Sequence, residues 1–204
     1  MQRYYSNIYW HFTGSPSDVD WKKIKKPKEL KDYPPKTIKD TYETLETILL
    51  SKTLKATSAE KVSSTEETAP FCCVCDIPLK DLDYHMKYYG KIAIGFNHKA
   101  IHGNFNPVLY IDPEHMPYIN HSVSLEDGSK SLINLIKHTN FGVERGESFY
   151  GEREWRYIGD YRFNESDVEV IIVPKDFKDK LIHFLEQNHY DDTTVLTWEL
   201  IQLL

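Results

Sequence analysis

Apolar residues recur along this chain in two different periods, and the period switches repeatedly from one end to the other. Ser6–Phe12 reads as a first strand. From Thr37 to about Ser51, residues Ile38, Tyr42, Leu45, Ile48 and Leu49 fall at helical spacing. Thr37 with Asp40 three residues on forms a capping pattern. Residues 55–70 are mostly polar and read as a mobile loop. Phe71–Asp76 then reads as a short buried strand. Pro78 can open a helix whose apolar face is Leu79, Leu82, Met86 and Tyr89, with Gly90 to end it. Strands are expected at Lys91–Asn97, Pro107–Asp112, Glu154–Ile158 and Val168–Val173. Helices are expected at Ser129–His138, through Leu132, Leu135 and Ile136, and at Asp176–Asn188. Thr194–Ile201 fits a strand or a helix equally.

Strands and helices mix without strict alternation, which points to the α+β class rather than a doubly wound sheet. The expected architecture is a single α+β domain over 1–204. Its central sheet is mostly antiparallel and split, and helices flank it. No internal repeat is visible. At 204 residues the chain fits one domain and can bury a core without staples. Aromatic residues make up 13% of it, too many for a disordered chain. No run approaches the about 18 apolar residues of a membrane helix, so no membrane role is expected. The start, Met1-Gln2-Arg3-Tyr4-Tyr5, does not resemble a secretion signal. Three cysteines, an odd number, make no disulfide framework, and a reducing cytoplasm is the expected compartment.

The net charge of −6 argues against nucleic-acid binding by the molecule as a whole. Charge is uneven, however. The segment 22–39 holds eight lysines against Glu29 and Asp32, and Pro27, Pro34 and Pro35 break it up. Residues 21–36 therefore read as a basic loop with at most a short helical turn. It is either a solvated connector or a local phosphate-facing patch for nucleic acid or an anionic cofactor.

Several clusters carry possible chemistry. Cys72-Cys73-x-Cys75 lacks the wider spacing and second pair of a structural zinc site and reads as core packing. His98-x-x-x-His102 follows a strand and lacks the Glu of zinc proteases, so a surface or loop role is expected. His85 reads as structural. In Trp10-His11-Phe12-Thr13-Gly14, His11 and Thr13 would share one strand face. Their imidazole and hydroxyl suit a ribose diol, and Gly14 would let the backbone approach a ligand. The plain alternative is a His closing a strand end. In Gly151-Glu152-Arg153-Glu154-Trp155-Arg156-Tyr157, an extended backbone would place Glu152, Glu154 and Arg156 on one face. Paired carboxylates there would split their pKa values, and one could stabilise a forming sugar cation. The alternative is an acidic edge strand with arginine partners. Tyr89 and Tyr110 lie where the chain turns, and either could stack on a nicotinamide or a base or belong to the core.

These segments resemble the AbiGi-type abortive-infection family of bacterial phage-resistance proteins, described as antitoxins. The resemblance runs through His11-Phe12-Thr13-Gly14, Thr44–Leu49, Cys75–Leu79 with His85, and Tyr89–Phe96. It continues through Asn106–Tyr110, Arg153–Tyr157 and Ile171–Pro174. It implies defence against phage and gives no reaction by itself. The order of a His-x-Thr strand, a helix, middle strands and a late Glu is also similar to ADP-ribosyltransferases. That resemblance implies an ADP-ribosyltransferase-like fold and NAD as cofactor. His11, Thr13 and Gly14 would hold a ribose, Glu154 would stabilise the oxocarbenium ion, and Glu152 would orient the acceptor. Arg156 would keep Glu154 ionised or meet a phosphate of NAD. The Ser-Thr-Ser motif of the arginine-modifying group is absent. Glu169 matches the late Glu of the DNA-modifying group, so Glu154, the preferred carboxylate, and Glu169 both stand as candidates.

Two functions follow as expectations. One is an NAD-dependent transferase acting on a nucleic-acid or protein target. The other is a non-catalytic antitoxin that binds a partner toxin such as a nucleotidyltransferase. A third, a nuclease with Glu152, Glu154 and Asp160 around a metal, requires a lysine beside the carboxylates. On their C-terminal side the first lysine, Lys175, lies past the next strand.

Overall fold

The chain's structure is a computed structural model that describes residues 7–63, 66–112, 114, 132–141 and 146–203. In chain order its elements are β1 (Ile8–Phe12), α1 (Ile38–Ser51), β2 (Thr53–Leu54), β3 (Phe71–Cys75), α2 (Leu82–Tyr89) and β4 (Ala93–Asn97). These are followed by α3 (His98–His102), β5 (Asn106–Pro107), β6 (Leu109–Ile111), β7 (Ile136–His138), β8 (Glu154–Ile158) and β9 (Tyr161–Arg162). The last are β10 (Val168–Val173), α4 (Lys178–Gln187), β11 (Thr194–Thr197) and α5 (Trp198–Ile201).

Seven strands form one sheet in the order β11-β10-β4-β1-β3-β8-β5, and β2/β9 and β6/β7 make two small satellites. Within the large sheet only the β10–β11 pairing is parallel. The expectation of a mostly antiparallel α+β sheet holds. Alternation along the strands sorts side chains onto two faces. One face carries Tyr9, Ile94, Phe96, Ile171 and Val173 against α1 and α4. The other carries Trp10, Phe12, Ala93 and Ile172 against α2 and α5.

Local signals are realised where they were strongest. Thr37 caps α1 by accepting from the Asp40 N–H at 3.2 Å and donating to its carboxylate at 2.8 Å. Thr194–Ile201 resolves into both alternatives, a strand and then a helix capped by Thr197. In the basic loop, Pro27–Asp32 forms one 3-10 turn that buries Leu30 against Val19 and Tyr88.

Three expectations change. Pro107–Asp112 is not one strand: β5 ends at Pro107 on the sheet edge, where a missing N–H is tolerated, and β6 leaves to pair in parallel with β7. Within the described part of Ser129–His138, the helix is replaced by a 3-10 turn over Leu132–Leu135 followed by β7. Helical spacing there loses to pairing with β6, which also turns Ile136 and Lys137 to opposite sides. In the polar segment 55–70, described residues make specific contacts. Ser58 bridges Phe71, Val62 is buried against Ile136, and the Asn134 side chain accepts from the Ala69 N–H at 2.8 Å.

One seam in the sheet is incomplete. β1 pairs with β4 along all five of its residues, but it shares a single register pair with β3, Trp10 with Cys75. Just past that pair the His11 ring enters the seam and its Nδ1 donates to the Cys73 carbonyl at 2.9 Å. The chain leaving β1 is pinned where Gly14 meets Gly90 at the end of α2. A Cβ on Gly14 would lie 2.8 Å from the Gly90 Cα and 2.9 Å from the Tyr89 carbonyl, and Gly90 has φ +88°. Gly14→Ala is expected to destabilise the protein by about 1–3 kcal/mol in urea unfolding, because backbone rather than a movable side chain blocks the methyl.

Candidate functional site

A cavity of about 920 Å³ opens along the β1–β3 seam. Every residue of β3 lines it, as do Trp10–Phe12 from β1 and Thr13 just after it. Its walls also include Thr44 and Thr47 of α1 and, beyond the other face of the sheet, Lys137, Glu152 and Glu154. Adjacent residues of β3 face opposite sides of the sheet, so the cavity passes through the gap that the missing ladder leaves.

At one end lies a buried charge cluster. Glu154 opens β8. Its carboxylate accepts from Arg156 Nε at 2.5 Å and from Lys137, and its N–H donates to the Tyr110 hydroxyl at 2.7 Å. Lys137 also pairs with Glu60 and with Glu152, each at 3.2 Å. Arg156 is 1% exposed. Its Nη2 pairs with Glu60, its Nη1 donates to the Asn134 and Ile136 carbonyls, and its guanidinium lies 4.0 Å from the Phe71 ring centre. Glu152 takes the Tyr89 hydroxyl on its other oxygen.

Charge balance sets the protonation states. Burial pushes the Glu154 carboxyl up, but Arg156 and Lys137 outweigh it and hold it well below the usual carboxylate range. Burial raises Glu152, the Glu154 charge adds to that, and Lys137 only partly opposes it. Burial disfavours the Lys137 ammonium, yet Glu152, Glu154 and Glu60 raise its pKa. Burial, with Lys36 nearby, lowers His11 despite its bond to the Cys73 carbonyl. A neutral imidazole donating through Nδ1 keeps Nε2 as an acceptor. Burial pushes the Cys72 thiol up to about 12 and raises Cys73 and Cys75 as well, so these free cysteines are packing residues rather than thiolates.

His11, Thr13, Tyr89, Glu152 and Glu154 do line one cavity. The route differs from the strand argument for Glu152. It closes a 3-10 turn, Phe149–Glu152, and Arg153, at φ +48°, turns the chain into β8. The local contacts of the other candidates narrow what each is free to do, although Thr13 stays on the cavity wall. Thr13 spends its hydroxyl proton on the Thr41 carbonyl at 3.1 Å. Gly14 packs on Gly90 and does not face the cavity. Tyr110 does not line this cavity; its hydroxyl accepts from the backbone N–H of Glu154. Arg156 is saturated by Glu154, Glu60 and two carbonyls, so it cannot also grip a phosphate. Glu169 is the extra residue of a bulge between Val168 and Val170 and is exposed, away from the cavity.

Asp160 is on the surface, bound to Lys55 and the Ala56 N–H. Among the described residues no group of three His, Cys, Asp or Glu side chains could hold a metal, and the metal-nuclease arrangement is not formed. Lys137 is the lysine that reading lacked, but it sits on the carboxylates. His98 and His102 lie on a short helix after all, where His102 stacks on Trp155 at 5.3 Å. The lysines of the basic segment are partly neutralised: Lys22 pairs with Glu67, Lys23 with Asp20, and Lys26 and Lys28 with Glu147. Sequence reasoning missed Glu60 and Lys137. They lie 94 and 17 positions from Glu154 in the numbering, in segments read as loop and helix, and no local signal links them to it.

Removing one member should expose the cost of the cluster. Arg156→Met leaves Glu154 and Glu60 short of a cation and is expected to cost about 3–5 kcal/mol in urea unfolding. Glu154 has a folded pKa below its unfolded value of about 4.3. Its contribution is present above that value and is lost as pH falls through the folded pKa. Glu152, shifted the other way, contributes with the opposite sign. Thermal unfolding between about pH 2 and 7 should show a steeper acid limb for the natural protein than for Glu154→Gln.

No solved structure matches the chain. A curated relative, "Abortive phage resistance protein AbiGi" of Lactococcus lactis subsp. cremoris, is 27% identical over 144 residues, covering 53% of this chain and 58% of its own length. The chain thus spans little more than half of that relative. Among the described residues no helix is long and apolar enough to cross a membrane. The profile of the family described as "Putative abortive phage resistance protein AbiGi, antitoxin" matches residues 43–193, which include Glu60, Tyr89, Lys137, Glu152, Glu154 and Arg156 but not β1. With most of its length matched, from within α1 to the residue before β11, the chain belongs to the AbiGi family of abortive phage-resistance proteins.

Proposed function

We propose that this chain acts in abortive phage resistance as an antitoxin, a binding protein that restrains a partner toxin without chemistry of its own. The family description supports the class. The observation that carries the choice is the state of Glu154. A carboxylate that stabilises an oxocarbenium ion must present uncompensated negative charge to it. Glu154 is instead clamped between Arg156 and Lys137, and its charge is already met. With Arg156 saturated and Gly14 consumed by packing, the remaining groups look like the fixed wall of a binding cavity.

A second reading keeps the transferase, because His11, Thr13, Tyr89 and Glu152 converge on one cavity. In that version NAD occupies the seam and Glu152, with fewer cation partners than Glu154, is the working carboxylate. The partner would be a nucleotidyltransferase-type toxin under the first reading and a modified target under the second. The Lys-rich segment 22–39 is a weaker candidate for nucleic acid, since several of its lysines are already paired.

The test is co-expression with the candidate toxin encoded nearby, alongside incubation of the purified protein with labelled NAD. The antitoxin reading expects relief of toxin-induced growth arrest, retained by Glu154→Gln wherever circular dichroism shows it folded, and no release of nicotinamide. Release of nicotinamide that falls on the order of a hundred- to a thousand-fold in Glu152→Gln or Glu154→Gln would establish the transferase instead.

A further inference from the structure

The charge cluster does not balance. Three carboxylates, Glu60, Glu152 and Glu154, share two cations, Lys137 and Arg156. Lys137 already serves all three carboxylates, and the guanidinium of Arg156 is divided among Glu154, Glu60 and two backbone carbonyls. Glu154 has a cation on each oxygen. Glu152 has Lys137 at 3.2 Å on one oxygen and only the neutral Tyr89 hydroxyl on the other. Among the described residues the excess negative charge therefore falls on Glu152, which is 8% exposed and faces the cavity. An uncompensated carboxylate in that setting is costly; a proton relieves it, which is the direction its pKa is pushed, and so does a bound cation that reaches the carboxylate.

The wall beside it is aromatic. The Tyr89 ring has Trp21 stacked at 6.3 Å and 17°, His85 at 5.7 Å and 29°, and Phe12 at 6.3 Å and 47°. All four rings line the same cavity as Glu152. An aromatic face attracts a cation through its quadrupole, and a carboxylate at the edge of that face supplies a counter-ion. Lys36 also lines the cavity, and its backbone N–H donates to the Gly14 carbonyl beside Tyr89, so the carboxylate of Glu152 has to outweigh its ammonium in the same cavity.

We propose that this cavity binds a guanidinium group, held against the aromatic cluster of Tyr89, Trp21, His85 and Phe12 with Glu152 as its counter-ion. A guanidinium fits better than an ammonium. It is planar, it is weakly hydrated, and its N–H fork can meet a carboxylate while its face stays on a ring. The group has two possible sources with the same chemistry, an arginine side chain presented by a protein or a free arginine-like small molecule. The site requires neither NAD nor any toxin, so it stands or falls separately from both readings above.

Calorimetric titration of the full chain with methylguanidine, L-lysine, L-arginine and the peptide Gly-Arg-Gly tests it. Saturable binding of methylguanidine is expected, with L-lysine weaker by about tenfold. Glu152→Gln should weaken methylguanidine by about tenfold or more, and Tyr89→Leu should do the same, whereas Tyr89→Phe should keep it. Tighter binding of the peptide identifies a presented side chain as the source, tighter binding of L-arginine a free molecule, and equal binding places recognition on the guanidinium alone. Failure of methylguanidine to saturate overturns the proposal. So does unchanged affinity in folded Glu152→Gln. If that variant does not fold, unchanged affinity in Tyr89→Leu overturns it equally.

Discussion

The paired state of Glu154 is the constraint on which the rest of the site depends. A carboxylate 5% exposed at the start of a strand would be untenable alone. It is stable because Arg156, two residues along the same face, and Lys137, from a different strand, both reach it. Those two cations are in turn shared with Glu60 and Glu152. One buried charge thereby ties together β8, β7, the turn before β8 and the polar segment after β2. Tyr89 extends the chain of contacts to the end of α2. The polar segment is drawn in because burying Arg156 without Glu60 would leave one side of its guanidinium unmet.

The second constraint is geometric. A sheet whose strands were all fully paired would have no room at its centre. Here β1 is paired along its whole length with β4 but meets β3 at one position only. His11 crosses the gap with a side-chain bond to Cys73, which satisfies a carbonyl that the ladder leaves over. The seam thus supplies the cavity, and the charge cluster supplies its polar end. Tyr89 and Glu152 also line a second cavity of about 600 Å³, so their hydrogen bond forms a partition between the two.

This arrangement weighs against the catalytic use of Glu154. The features that make it a stable buried anion, two close cations and exclusion from water, are the features that remove its pull on a forming cation. Glu152 is the opposite case. Its position is no less enclosed, but its charge is less well met, and it stands beside aromatic faces. A cavity of this kind is better equipped to hold a positively charged planar group than to generate one.

The sequence by itself determined the elements whose signals are local. The α1 cap at Thr37, the strand at Val168–Val173 and the amphipathic helix through Leu181 and Leu185 all follow from spacing and capping chemistry. So does the shared face of Glu154 and Arg156, because strand alternation is a property of neighbours. The convergence of His11 and Glu154 on one cavity was readable only as two separate segments with suggestive chemistry. Tertiary structure decided what those residues are free to do. Arg156 became saturated, Gly14 became a packing contact, Tyr110 turned to a backbone N–H, and Glu169 was left on a bulge. Lys137 and Glu60 entered the cluster from segments read as a helix and a mobile loop. The reason is physical: electrostatic pairing in a buried site acts through space and is blind to sequence separation. Periodicity reports only which side of its own element a residue faces.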